Sequence, residues 1–161
     1  MPNWCANNVE IYHDDPKMIE KVVGAFKRGE LCETFLPIKH LPTDQQYDAA
    51  INSWGTKWDV AVEYGGGVSV GDHGHRVWLT FESAWSPPTG LYGELERLGF
   101  EVFASYFEPG VGFVGRYENG SDECFVFSGG NFEKVVPADL LEMYDIGDWF
   151  DFDDEEEEWE W

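Results

Sequence analysis

Apolar and polar positions alternate over residues 7–13, Asn-Asn-Val-Glu-Ile-Tyr-His, as in a short strand. Asp14, Asp15 and Pro16 then read as a helix start. Asp15 is placed to cap the chain, and Pro16 suits the first helical position. Met18, Ile19, Val22, Val23 and Phe26 recur at helical spacing and predict an amphipathic helix of about 12 residues that stops at Gly29. Residues 30–44 read as a loop, broken by Pro37 and Pro42 and anchored by Phe35, Leu36, Ile38 and Leu41. A short helix is expected from Asp44 to Asn52. Lys57 to Tyr64 alternates as a strand, with Trp58, Val60 and Val62 on one side.

Gly65 to Gly67, Val68-Ser69-Val70 and a Gly-Asp-His-Gly turn come next. Arg76 to Ser83 predicts a strand, with Val77, Leu79 and Phe81 on one face. Thr89 to Leu98 predicts a helix closed by Gly99, and Phe100 to Phe107 another strand. Val111 to Tyr117 and Glu123 to Phe127 read as a hairpin about Asn119-Gly120. The order is β-α-β-β-α-β, with a C-terminal β-hairpin extension. That series predicts an α+β, ferredoxin-like fold, an antiparallel sheet with its helices on one face. One domain is expected over residues 1–138, and an acidic, aromatic-rich tail, docked or disordered, over residues 139–161.

Charge changes this picture in the tail. The chain has 161 residues, 32 acids and 10 bases, for a net charge of −22. Residues 139–161 hold 12 of the acids and no base, so the body carries about −10 and the tail −12. The tail alternates acids with aromatic residues, a pattern that suits docking on a basic partner with apolar pockets. A phosphate backbone or an anionic membrane would be repelled. Apolar residues make up 43% of the chain, enough for a core. No apolar run reaches the roughly 18–20 residues of a membrane span. Met-Pro-Asn-Trp-Cys lacks the pattern of a signal peptide, so the expected location is the cytosol. Cys5, Cys32 and Cys124 are odd in number and widely spaced, which argues against a disulfide framework or a closed zinc site. No cofactor is expected.

Several Trp-rich blocks carry a resemblance. They are Met1-Pro2-Asn3-Trp4-Cys5-Ala6-Asn7, Asn52-Ser53-Trp54-Gly55-Thr56-Lys57-Trp58-Asp59 and Phe81-Glu82-Ser83-Ala84-Trp85-Ser86-Pro87-Pro88. With Tyr106-Phe107-Glu108-Pro109-Gly110, Phe113 and Gly115, they make residues 1 to about 130 similar to the YubB-like family of phage and plasmid proteins. The resemblance implies a ferredoxin-like domain in a mobile-element setting, without an iron–sulfur cluster and without known catalytic residues. It does not extend to the tail.

Trp54, Lys57, Trp58, Asp59 and Trp85, with Glu108 near, form the candidate ligand cleft. Aromatic faces and one cation suit a planar or anionic ligand. The plainer alternative is that these tryptophans are core and Lys57–Asp59 a surface pair. His73 and His75 beside Asp72 would start a metal site, but further ligands at motif spacing are missing and a solvated turn is the expected state. The glycines at 65–67 lack the following Gly-Lys-Ser/Thr of a phosphate loop. No nucleophile motif is visible, so no catalytic residue is assigned.

Two functions of different class follow. The first is a non-catalytic acidic binding protein, a nucleic-acid mimic that inhibits a host defence or nucleic-acid-processing enzyme. Its contact residues would be Asp148, Trp149, Asp151, Asp153, Asp154, Glu155, Glu156, Glu157, Glu158 and Trp159. Its partner would be a basic host protein, with neither nucleic acid nor membrane bound directly. The alternative is a nucleotide-like small-ligand binder or enzyme using the Trp54, Lys57, Trp58, Trp85 cleft.

Overall fold

A computed structural model describes residues 3–60, 66–127 and 132–146. The chain is α+β. Strand β1 covers Trp4–Tyr12. Asp15 accepts a hydrogen bond from the Lys17 amide at 3.0 Å, and Pro16 opens helix α1, Pro16–Lys27. Ile19, Val22, Ala25 and Phe26 form its buried stripe. Gly29, at φ +73°, turns the chain where a side chain would be strained. Helices α2, Leu31–Phe35, and α3, Thr43–Trp54, follow. Strands β2, Gly67–Gly71, and β3, Arg76–Ala84, come next. Helix α4 covers Thr89–Arg97 and strand β4 Glu101–Glu108. Strands β5, Phe113–Glu118, and β6, Ser121–Val126, precede the short helices α5, Phe132–Val135, and α6, Ala138–Met143.

The six strands form one sheet in the order β2-β3-β1-β4-β5-β6, and every neighbouring pair is antiparallel. Val9 lies opposite Leu79 on one side and Ala104 on the other. Strand alternation therefore gathers Val9, Ile11, Val77, Leu79, Phe81, Val102 and Ala104 on one face. There they meet Ile19, Val22, Phe26, Trp54, Leu91 and Leu95 from the helices in one continuous core. Phe107 and Val114 point the other way and pack with Phe127, Phe132, Val136, Leu140 and Ile146 in a second, smaller cluster.

Three sequence expectations change. The stretch Lys57–Val60 is not a strand, and residues 61–65 lie outside the described residues. The strand that pairs with β3 is the shorter β2. The reason is local: the Asp59 carboxylate takes the amides of Cys32, Glu33 and Val60, so the chain here bends around α2 instead of entering a ladder. The loop expected over 30–44 accordingly contains α2. Finally, the helices do not all share one face. Helices α5 and α6 cover the far side of β4 and β5, because Phe107 and Val114 need burial there.

The acidic segment from Asp139 begins inside α6. Leu140 and Ile146 are buried, and the Tyr144 hydroxyl meets Ser105 on β4 at 2.8 Å and Asn8 on β1 at 3.1 Å. Asp148, Trp149, Asp151, Asp153, Asp154, Glu155 to Glu158 and Trp159 lie outside the described residues. Among the described residues, no helix is long and apolar enough to cross a membrane.

Candidate functional site

Helix α3 ends at Gly55, which takes φ +86° and turns the chain toward β3. One close approach and two hydrogen bonds fix this corner. A Cβ on Gly90 of α4 would sit 2.0 Å from the Ser53 carbonyl oxygen, so only glycine lets α3 and α4 cross here. The buried Thr56 hydroxyl donates to the Ala84 carbonyl at 2.9 Å, and the Ser86 hydroxyl donates to the Gly55 carbonyl. Behind them runs a buried polar chain. Tyr92 donates to Asn7 at 3.2 Å, Asn7 to Ser83 at 2.8 Å, and Ser83 to the Ser86 carbonyl at 2.7 Å. Burial of these groups is tolerable because each has its partner.

This bracing holds Trp85 at φ +74°, a left-handed conformation that is rare for a bulky residue. Its amide donates to the Asn3 carbonyl at 2.8 Å, and its indole is half exposed. Backbone strain at an exposed aromatic residue is a reason to look there for function.

Trp85, Ala84 and Ser86 form one wall of a depression of about 290 Å³, and Tyr47, Ile51, Gly55, Thr56 and Lys57 form the rest. A second depression of about 270 Å³ is lined by Ile38, Gln46, Ala50, Trp54, Trp58 and Asp59, and shares Tyr47 and Lys57 with the first. Together they make a shallow groove divided by a Tyr47–Lys57 ridge. The Lys57 ammonium lies 4.9 Å from the Trp58 ring centre and 5.7 Å from that of Tyr47, a double cation–π contact. Trp58 in turn stands 6.1 Å from Trp4. Tyr47, Ile51, Trp58 and Trp85 are all between 43% and 53% exposed, so four large apolar side chains converge on one surface.

The structure brings Lys57, Trp58 and Trp85 to this groove and gives two other candidates structural work. Trp54 is 5% exposed; it floors the second depression, and its indole donates to the Leu36 carbonyl at 2.7 Å. Asp59 binds the Cys32 amide at 2.7 Å, the Val60 amide at 2.8 Å and the Glu33 amide at 2.9 Å. Burial pushes its carboxyl above the ordinary Asp value, and those three amides pull it back. Glu108 is spent elsewhere: buried, it accepts from the Gly110 amide at 2.5 Å and the Val111 amide at 2.7 Å, closing its own turn.

The histidines are not gathered. His75 meets the His13 carbonyl at 3.0 Å and stacks on Tyr12, while His73 is exposed at φ +56°. Among the described residues, no group of three or more His, Cys, Asp or Glu is placed to hold a metal ion. Burial pushes the Cys5 and Cys32 thiols up, away from the reactive thiolate.

Tyr47 and Ile51 were missed by sequence reasoning. Their signal was an i, i+4 apolar pair on the polar side of a short helix. Compared with known protein families, curated proteins and solved structures, the chain matches none.

Proposed function

We propose that this is a non-catalytic binding protein, and that the groove formed by Tyr47, Ile51, Lys57, Trp58 and Trp85 is its contact surface. The observation that carries the reading is the convergence of half-exposed aromatic and aliphatic side chains on a braced corner. A partly exposed apolar surface of this kind costs solubility and is a mark of interaction sites. The net charge of −22 favours a basic partner protein, which it would attract in a salt-sensitive way.

The order β2-β3-β1-β4, with α1 following β1 and α4 joining β3 to β4, supports a ferredoxin-like unit extended by β5 and β6. Mimicry of nucleic acid against a host defence enzyme, in the mobile-element setting that the YubB-like resemblance implies, has the charge as its support.

A nucleotide-like small ligand in the same groove is the second reading. The depressions are small, at the lower edge of the roughly 300–1,000 Å³ usual for ligand sites. Among the described residues, Lys57 is the one cation lining either of them, a thin match for a polyphosphate.

A photocrosslinking side chain at Ile51 tests the proposal, with the same group at the exposed Glu101 as control. The expected result is adducts with a basic protein at position 51 alone, reduced by high salt and by Trp58→Ala. Equal adducts at both positions, or none at 51, would overturn it.

A further inference from the structure

We infer that the groove takes an extended, proline-rich segment with basic flanks. This inference rests on the groove being the contact surface.

The polar groups lining the groove decide the ligand's chemistry. Its acceptors are largely engaged: the Gly55 and Ala84 carbonyls by Ser86 and Thr56, and the Asp59 carboxylate by three amides. The Trp54 indole is spent on Leu36, and the Gln46 amide nitrogen on the Lys39 and Leu41 carbonyls. What remains among the lining side chains is mostly donors, the Lys57 ammonium and the Trp58 and Trp85 indoles, with the Gln46 amide oxygen as an acceptor and the Tyr47 hydroxyl able to do either. Indole and ammonium donate and cannot accept. A matching ligand offers acceptors and few donors.

A polyproline II segment has that character. Its carbonyls project to solvent without internal hydrogen bonds, and its prolines have no N–H. Ring faces packed between aromatic ridges supply the apolar part, and its stiffness lowers the entropy lost on docking. Two shallow depressions on either side of the Tyr47–Lys57 ridge would seat successive apolar positions of such a segment. An ordinary extended strand would bring amide donors that this surface leaves unpaired.

Charge selects the flanks. Asp44 and Asp48 are exposed on α3, each one turn from Tyr47 and Ile51 respectively. The whole chain adds its excess of acids. Lys57 makes no ion pair among the described residues; held on two aromatic faces, it is available to donate to a backbone carbonyl.

The probes are three synthetic peptides of equal length, titrated into the full chain and followed by tryptophan emission and calorimetry. One has a proline-rich centre and arginine flanks. The second keeps the flanks and replaces every proline by glycine. The third keeps the prolines and has glutamate flanks. The first should saturate at micromolar concentration, with the glycine peptide at least about tenfold weaker, or about 1.4 kcal/mol. Trp58→Ala should weaken the first peptide about tenfold or more, and Trp58→Phe should restore part of the loss. Raising the salt should narrow the gap between the first and third peptides.

Equal binding of the proline and glycine peptides would overturn the inference, because charge alone would then explain both. No binding of the first peptide, with crosslinking at Ile51 intact, would sink the ligand class and leave the groove standing. Peptide binding insensitive to Trp58→Ala, together with loss of the Ile51 adducts, would remove both.

Discussion

The two faces of the sheet are finished differently. On one, α1 to α4 cover the strands and a single core runs from Val9 to Tyr117. On the other, among the described residues, α5 and α6 cover the β4–β5 side through a cluster of seven buried residues. On the β3 side of that face no described helix packs: Trp78 is 42% exposed, and Thr80 and Glu82 are exposed beside it. A large shared core makes the first face the cooperative part of the molecule. The second face is held by a patch small enough to open by itself.

The largest test of this difference is Leu95→Ala. Leu95 is fully buried in the large core, so the change should cost about 2–5 kcal/mol and lower the urea midpoint of the whole chain. Gly90→Ala should cost about 1–3 kcal/mol, because the new Cβ meets backbone at Ser53 that cannot swing away. Its urea midpoint should fall, and the groove should lose ligand as α3 separates from α4. Asp59→Ala strands three amides near α2 and should cost about 1–3 kcal/mol, with faster amide exchange at Cys32 and Glu33.

Leu140→Ala should act locally. Exchange should quicken over residues 138–146, while the whole-chain midpoint moves by about 1 kcal/mol or less. A midpoint shift as large as that of Leu95→Ala would mean that the two faces unfold as one unit.

The smallest effect is a contrast in pH response. The Arg116 guanidinium, 2.9 Å from Asp139, holds that carboxyl below the ordinary value of 3.8. A depressed folded value contributes stability above 3.8 that is lost as pH falls through the folded value. Asp59 has the opposite sign. Its raised value contributes stability below 3.8 that is lost as pH rises through the raised value. Just above pH 3.8, acidification should therefore favour the Asp59 corner while leaving the α6 anchor in place. Further acidification should release α6. Amide exchange at Glu33 and Leu140 across that range reads both responses. Parallel behaviour at the two sites would remove the contrast.

Much of the fold was legible because its signals are local. Asp15-Pro16 and the Ile19, Val22, Phe26 spacing describe α1 without reference to any partner. Val77, Leu79 and Phe81 alternate on β3 because one side of that strand is buried. Asn119-Gly120 supplies two consecutive positive φ angles, +45° and +87°, which a tight hairpin turn requires. Lys57, Trp58 and Trp85 were also legible as site candidates, since large aromatics beside a lone cation are conspicuous in an acidic chain.

What stayed hidden depends on groups distant in sequence. Helix α2 has five residues, too few to announce itself by periodicity, and Asp59, 27 residues beyond Cys32, supplies its cap. Helix α5 was not expected and most of α6 read as tail, because their partners, Phe107 and Val114, belong to other elements.

The sequence by itself determined β1, α1, β3, α4, β4 and the β5–β6 hairpin, together with the uneven spread of charge, since periodicity, capping and composition are carried along the chain. Only the tertiary structure decided which tryptophans face solvent. Trp54 is interior because it lies under the α3–α4 crossing, whereas Trp58 and Trp85 stand outside on segments tied down by Asp59 and Ser86. The three share one composition signal and differ in packing, and packing is settled by contacts among residues far apart in the chain.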